Sequence, residues 1–573
     1  MDPRVRAWLD RDPDPETRAE LETLVSKGDR AEIERRFRAR LEFGTAGLRG
    51  VLGAGPARMN RLVVRETSAG LGAYLQATVP DAMKRGVVVA HDARRLSKEL
   101  ARDTACVLSA MGFKVFMYSA EVPTPLGAFA VRELSAAAGV VVTASHNPPE
   151  YNGYKVYWHN GAQIIPPHDR GIAAAVDKAA TAPIPFQEQS DAERGGRVRR
   201  LGDEMVAKYL QGVAGLSVRR GSPARAKYPI AYTPLHGVGA RVAEAALAQA
   251  GFANVRSVAA QREPDPAFPT VRFPNPEEPG AMDLVIGLAR EMGAALALAN
   301  DPDADRLAVA ALRPDGQYRR LTGDQVGALL GAELLAQGGK SSVVVSTIVS
   351  SRLLAVMTRK AGLRYVDTLT GFKWIADAGL AAEAEGGRFL FGYEEALGYT
   401  IGALVRDKDG ISALVIFAEL AAALADDGKT IFDRLTEIYR EYGFFLTGQR
   451  TLALDPERPG PSLGDRLRHK PPTRIAGFEV EVTTDVRDGA RVLRGGRRES
   501  VPLPQSDVLI YELEGGRRVI VRPSGTEPKL KCYYEVCEPM SDTESFMTAE
   551  ARAERALAEL ANRHQQELAT LST

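Results

Sequence analysis

The 573 residues are several times what one hydrophobic core organises, so at about 150 residues per domain the chain predicts roughly four domains. Hydrophobic residues make up 45% and charged residues 26%, a globular balance that excludes a disordered or collagen-like chain. With 74 Lys plus Arg against 73 Asp plus Glu the overall field is nearly neutral, which predicts neither a nucleic-acid nor a membrane partner and leaves anion recognition to local clusters.

Cys106, Cys532 and Cys537 form no CxxC pair and leave an odd thiol, which fits a reducing compartment. The opening MDPRVRAWLDRDPD has no apolar h-region, and runs such as AAAGVVV fall well short of the about 18 to 20 residues of a membrane span. A cytoplasmic protein is expected.

Between residues 86 and 143 three short β-branched runs, GVVVA, FKVFMY and GVVV, alternate with the helical patterns LSKELARDTACVLSAMG and TPLGAFAVREL. This predicts a βαβαβ unit with a parallel sheet buried on both faces, and such sheets bind ligands beyond the carboxyl ends of their strands. The alternation recurs from PIAYTPLHGVGARVAEAALAQAG to ALALANDPDADR, and from SSVVVSTIVSSRLLAVMTRKAG to RFLFGYEEALGY. Beyond about Gly443 strand-like runs (FEVEVTTDV, SDVLIYEL, RRVIVRP, KLKCYYEV) precede an Ala/Glu-rich helical tail. The expected fold is therefore α/β: three similar mixed-sheet domains at 1–215, 216–318 and 319–443, and an α+β domain at 444–573.

Several loops carry chemistry. In TASHNPPEYNGYKVY, Ser145 stands just past a buried strand with the imidazole of His146 and the ammonium of Lys155 close in sequence, a combination suited to nucleophile activation or phosphate stabilisation. A turn serine capping a backbone group is the plain alternative. In NDPDADR, Asp301, Asp303 and Asp305 follow an apolar strand, and their i, i+2, i+4 spacing places all three on one side of an extended chain. Crowded hard oxygens without nearby Cys or His favour Mg²⁺. Arg306 and Leu312 at the sixth and twelfth positions exclude an EF-hand. The DxD of a haloacid-dehalogenase-like phosphatase fits less well, because Asp305 stands where that pattern has Thr or Val.

FGTAGLRG offers Thr45, three glycines and Arg49 to an anion, and RPSGTEPKLK gathers Arg522, Ser524, Gly525, Thr526 and Lys529 into a cradle suited to a monoester phosphate. FGYEEALGY ends a strand on Glu394 and Glu395, able to accept from sugar hydroxyls, and Thr370, Gly371 and Lys373 of TLTGFKW suit ligand contact. GVGARV lacks the third glycine of a dinucleotide fingerprint, and GGKSS has Leu334 where a P-loop needs its first glycine.

Six motifs, FGTAGLRG, TASHNPPEYNGYKVY, NDPDADR, TLTGFKW, FGYEEALGY and RPSGTEPKLK, occur in an order that resembles the phosphohexomutase superfamily, the phosphoglucomutases and phosphomannomutases. The resemblance covers most of the chain from about residue 40. It implies four domains around a central cleft, with Ser145 the phosphorylated serine and Asp301, Asp303 and Asp305 holding Mg²⁺ together with the Ser145 phosphate. Arg306 would lie beside the reacting phosphoryl group, while His146, Lys155 and Arg49 would stabilise transfer or move protons. Glu394 would bind sugar hydroxyls, and the residues from Arg522 to Lys529 would grip the phosphate that does not react. The implied reaction interconverts glucose 1-phosphate and glucose 6-phosphate through a bisphosphorylated sugar, with the fourth domain opening about residues 442–446.

Hexose-specific relatives usually carry Ser two residues after the first Glu, where this chain has Ala396. The EEALGY and TLTGFKW forms look more like the branch of phosphopentomutases and glucose-1,6-bisphosphate synthases, so phosphopentose and mannose phosphate stand as alternative substrates. A sugar-phosphate hydrolase, separated by release of inorganic phosphate, and a phosphosugar sensor without turnover are readings from other classes.

Overall fold

The computed structural model describes residues 2–42, 47–219, 221–454, 461–523 and 529–572. These form two compact units, one of Met1–Leu321 with Gly371–Asp427 and one of Thr322–Thr370 with Gly428–Thr573.

The first unit opens on helices Pro3–Arg11 and Pro15–Ser26, each with proline in its first turn and an aspartate, Asp2 or Asp14, accepting from a first-turn backbone N–H. Its first sheet contains β1 (Leu48–Val51), β2 (Val87–His91), β3 (Val115–Tyr118), β4 (Ala138–Val142), β5 (Tyr151–Trp158) and β6 (Val198–Leu201), ordered β1-β5-β4-β2-β3-β6. β2 is parallel to both β3 and β4, as the alternation of strands and helices predicts. β2 and β4 are buried along their whole length beneath helices Ser97–Ala110 and Thr124–Glu133, which explains why they read as unbroken apolar runs.

The second sheet has β7 (Ile230–Thr233), β8 (Val255–Ser257), β9 (Leu296–Ala299), β10 (Ala308–Leu312) and β11 (Tyr318–Arg320), ordered β11-β10-β9-β7-β8. β7 is again parallel to its neighbours β8 and β9. β12 (Ser342–Thr347) and β13 (Arg364–Thr368) form a parallel pair in the second unit, and β14 (Arg388–Glu394) and β15 (Gly398–Ile401) an antiparallel pair in the first.

One device recurs that the strand-helix alternation does not predict. β4 turns back into β5, β9 into β10 and β14 into β15, each pair antiparallel. Connections this short join only antiparallel neighbours, since a parallel return needs a dozen or more residues. The three reversals carry Ser145, the aspartates and Glu394. The sheets are therefore mixed, and each site loop is anchored by a strand at both ends.

The C-terminal sheet of the second unit is antiparallel throughout. It contains β16 (Phe444–Ala453), β17 (Arg474–Ile475), β18 (Phe478–Asp485), β19 (Ala490–Leu493), β20 (Arg498–Ser500), β21 (Leu509–Leu513), β22 (Arg517–Pro523) and β23 (Lys529–Glu538). Their order is β16-β23-β22-β21-β18-β19-β20, with β17 paired to β18. Helix Phe546–Ser572 lies on β16 and β23, and Phe546 packs edge-on to Phe432 at 5.1 Å between ring centroids. Among the described residues no helix is long and apolar enough to cross a membrane.

That last helix carries a buried polar contact, His564 Nδ1 to the Tyr534 hydroxyl at 3.0 Å, with Gln565 Nε2 donating to the same hydroxyl at 2.8 Å. Burial lowers the imidazole from 6.5 to about 4, so the folded chain refuses a proton that the unfolded chain accepts. Stability is therefore full above 6.5 and is lost as the pH falls from there toward 4. Melting temperatures of wild type and His564→Gln, measured between about pH 7.5 and pH 5, are expected to converge as the pH drops. Parallel curves would show that His564 does not contribute to the acid sensitivity.

Candidate active site

Ser145 lies three residues beyond β4, 3% exposed, with a left-handed backbone at φ 52°. Its N–H donates to Thr143 Oγ1 at 2.8 Å, closing a tight turn that directs the side chain away from the sheet. The hydroxyl donates to Asp301 Oδ2 at 2.7 Å and lies 3.1 Å from His146 Nδ1. Burial, together with the positive charges of Arg306 and Arg49, holds His146 well below its ordinary value, so the ring is neutral.

Asp301, Asp303 and Asp305 converge, but not as an extended strand would bring them together. Residues 301–305 form a turn in which Ala304 is left-handed at φ 55°, and one oxygen of each carboxylate lies within 4.8 Å of the others. A tight turn gathers side chains that a straight strand would space about 6 to 7 Å apart. The Arg306 N–H donates to Asp301 Oδ1 at 3.1 Å, and Thr124, at the start of its helix, donates through Oγ1 to Asp303 Oδ2 at 2.6 Å. Burial and the charges of Asp303 and Asp305 push Asp301 well above the usual carboxylate range.

Lys155 belongs to β5, not to the serine loop as its sequence proximity suggests. It is buried, and its Nζ donates to Asp303 Oδ2 at 2.8 Å and Asp305 Oδ2 at 2.9 Å. Burial opposes its charge, yet the two carboxylates outweigh burial and raise the ammonium above its ordinary value. The same ammonium overcomes the burial that would raise Asp303 and holds it low.

Lys408, which no motif singled out, is a second buried ammonium, 3.5 Å from both Asp305 Oδ2 and Asp407 Oδ1. Asp407 is fixed from below, accepting at Oδ2 from the Tyr157 hydroxyl and from Gln163 Nε2, both at 2.7 Å. The sequence signal was RDKDG after the third reversal, which reads equally well as a solvated charged turn. Gly398 makes room for this lysine: a Cβ there would lie 2.5 Å from Lys408 Cδ. Glu394 ends β14, buried and raised by that burial against the opposing pull of Lys408 and Arg306. Arg306 Nη1 lies 3.4 Å from Glu277 Oε2, and Arg49 Nη1 donates to Asn147 Oδ1 at 2.7 Å.

The first unit thus brings together Ser145, His146, Lys155, Arg49, Asp301, Asp303, Asp305, Arg306 and Glu394. Lys373 lines a cavity of about 260 Å³ with Trp158, His168 and Asp377, and burial lowers its ammonium. Gly371 directly precedes the helix Phe372–Ala384, with φ at 109°. In the second unit Thr370 is half-buried, and Arg522 and Lys529 belong to the paired strands β22 and β23. Thr45, Ser524, Gly525 and Thr526 lie outside the described residues. A larger cavity of about 860 Å³ in the second unit, lined by Arg352, Arg491 and Glu512, contains none of the nominated residues.

The aspartates fit a divalent cation. Asp303 Oδ1 and Asp305 Oδ1 are buried without a hydrogen-bond partner, and hard carboxylate oxygens in a site without Cys suit an oxygen-seeking ion.

Four family models match the chain in series. Those described as phosphoglucomutase/phosphomannomutase, alpha/beta/alpha domains I, II and III match residues 40–183, 207–313 and 322–442, and the C-terminal domain matches 479–553. A probable phosphoribomutase of Schizosaccharomyces pombe is 40% identical over 546 residues, 92% of this chain and 92% of its own. A phosphopentomutase of Mus musculus is 36% identical over 566 residues, 95% of this chain and 91% of its own. A solved structure, a putative phosphomannomutase from Thermus thermophilus, is similar with TM-score 0.67 at 25% identity, covering 91% of this chain and 98% of that one.

Replacing Lys155 by Met strands two buried carboxylates, a loss of about 3 to 5 kcal/mol for a broken buried ion pair. The variant is expected to melt earlier than wild type in chelator and to gain more than wild type when a divalent cation is titrated in, read by calorimetry. An equal gain in both proteins would show that the ammonium does not share the cation's site.

Proposed function

The chain belongs to the phosphoglucomutase/phosphomannomutase family, and from that premise we propose that it moves a phosphoryl group between C1 and C6 of glucose phosphate through a phosphoserine at Ser145. It is an intramolecular phosphotransferase acting on phosphosugars. The observation that carries the serine assignment is the 2.7 Å bond from the Ser145 hydroxyl to Asp301, inside a carboxylate cluster with two oxygens that lack a hydrogen-bond partner.

Asp301, Asp303 and Asp305, with the Ser145 phosphate, would hold Mg²⁺, which when bound supplies positive charge to offset that of the phosphoryl group. In the forward direction a sugar hydroxyl attacks the phosphorus of phosphoserine. Its oxygen gains the phosphoryl group, the bond to Ser145 Oγ breaks, the hydroxyl proton passes to a base and Oγ takes up a proton. His146, held neutral beside Oγ, is suited to accept the serine proton when Ser145 attacks phosphorus in the return step. Lys155, held charged, and the guanidinium groups of Arg306 and Arg49 offset the charge on the transferring oxygens. The bisphosphorylated sugar then turns and returns its other phosphate to Ser145, so no phosphate is lost.

Glu394, pushed up by burial, would meet sugar hydroxyls. Thr45, Thr370, Gly371 and Lys373 would complete the sugar contacts, and Arg522, Ser524, Gly525, Thr526 and Lys529 would grip the phosphate that stays in place.

A second reading, conversion of ribose or deoxyribose 1-phosphate to the 5-phosphate, rests on a specific observation. Ala396 replaces the serine hydroxyl usual in hexose-specific relatives, and the two similar proteins named above are a phosphoribomutase and a phosphopentomutase. Mannose phosphate is the third candidate, after the name of the solved neighbour.

Coupled assays on glucose, mannose, glucosamine, ribose and deoxyribose 1-phosphates rank these readings by kcat/KM. Isomer is expected to form without inorganic phosphate, and Ser145→Ala is expected to lower turnover by at least about 10³-fold on every substrate. Comparable turnover by the alanine variant would remove the phosphoserine, and stoichiometric phosphate release would replace the mutase with a hydrolase.

A further inference from the structure

We propose that Arg94, a residue of no site motif, is the positioning residue that holds the serine loop in its reactive shape. It follows β2 in the stretch HDARR and is buried at 4% exposure. Its one guanidinium reaches three backbone carbonyls of the loop between β4 and β5 and that of Tyr151 at the start of β5. Nη1 donates to Pro148 O at 2.9 Å and Tyr151 O at 3.3 Å, while Nη2 donates to Ser145 O at 2.6 Å and to Asn147 O.

The fork is itself fixed. Asp92 Oδ1 accepts from the Arg94 N–H at 3.0 Å and from Ser97 Oγ at 2.6 Å, and Asp92 Oδ2 lies 3.5 Å from Arg94 Nε. The ring of Phe268 lies 5.0 Å from the guanidinium carbon. From the other side Asn152 Nδ2 donates to Arg95 O at 2.9 Å and Ser97 Oγ at 3.0 Å, tying β5 to the same turn.

The loop needs such a tether for a physical reason. Ser145 is a non-glycine residue held at φ 52°, a strained left-handed conformation that persists only where the surroundings enforce it. Arg94 binds the carbonyl of that residue. It also binds the carbonyl of Asn147, whose side chain accepts from Arg49, so one planar group sets both the serine and a guanidinium facing the site. Lysine preserves the charge but presents three donors from a single point, which cannot span four carbonyls spread from Ser145 to Tyr151.

The inference rests on the reading that Ser145 carries the phosphate, and the test separates the two. Wild type and Arg94→Lys are compared by steady-state kinetics with glucose 1-phosphate, by thermal melting, and by rapid-quench intact mass during phosphorylation with glucose 1,6-bisphosphate. The lysine variant is expected to remain folded, to lose about 10²-fold in kcat and in the rate of Ser145 esterification, and to keep KM within about threefold. Wild-type kcat in a folded variant, or a raised KM with unchanged kcat, overturns the proposal. Should Arg94→Lys melt early, Asp92→Asn is expected to show a smaller loss confined to kcat, and an unchanged kcat there overturns it equally. Wild type that never esterifies Ser145 removes the underlying reading and this inference with it. Normal esterification in both proteins removes only the inference.

Discussion

Three carboxylates buried within 4.8 Å of one another are the constraint to which the first unit is fitted. Like charges at that distance, away from water, repel strongly, and the chain answers with cations from separate segments. Lys155 comes from β5 and Lys408 from the loop after β15, while Thr124 contributes a hydroxyl from the start of its helix. The acidic turn therefore has a structural role. It draws elements more than a hundred residues apart in sequence onto one centre, and two of its oxygens have no hydrogen-bond partner.

The same field sets opposite protonation states on neighbouring groups. His146 and Lys155 are separated by nine positions, yet the imidazole is held neutral and the ammonium charged. The difference lies in what each group faces. The imidazole meets the guanidinium groups of Arg306 and Arg49 as well as burial, whereas the ammonium bonds directly to Asp303 and Asp305. A neutral imidazole and a fixed cation thus come from one stretch of sequence.

Antiparallel reversals make this convergence possible. A loop returning at once into the sheet is held at both ends by strands that pair with each other. Ser145, the aspartates and Glu394 all lie on or at the edge of such returns, where strand pairing limits how far the loop can relax. Where pairing alone leaves a strained residue, as at Ser145, buried polar groups such as Arg94 supply the remaining constraint.

The amino-acid order by itself determined the parallel strand-helix units, because strands buried on both faces read as short unbroken apolar runs with helical patterns between them. It also determined the residues of the acidic turn and the serine loop, because their side-chain types are unusual in combination. Its spacing argument for the aspartates failed in detail, since left-handed Ala304 turns the chain where an extended strand was expected. Only the tertiary structure decided that Lys155 is a strand residue, that Lys408 and Asp407 belong to the centre, and that Arg94 holds the loop. These roles arise from contacts between residues distant in sequence: a lysine beside an aspartate in a turn reads as solvated until folding removes the water and makes its charge a counter-ion.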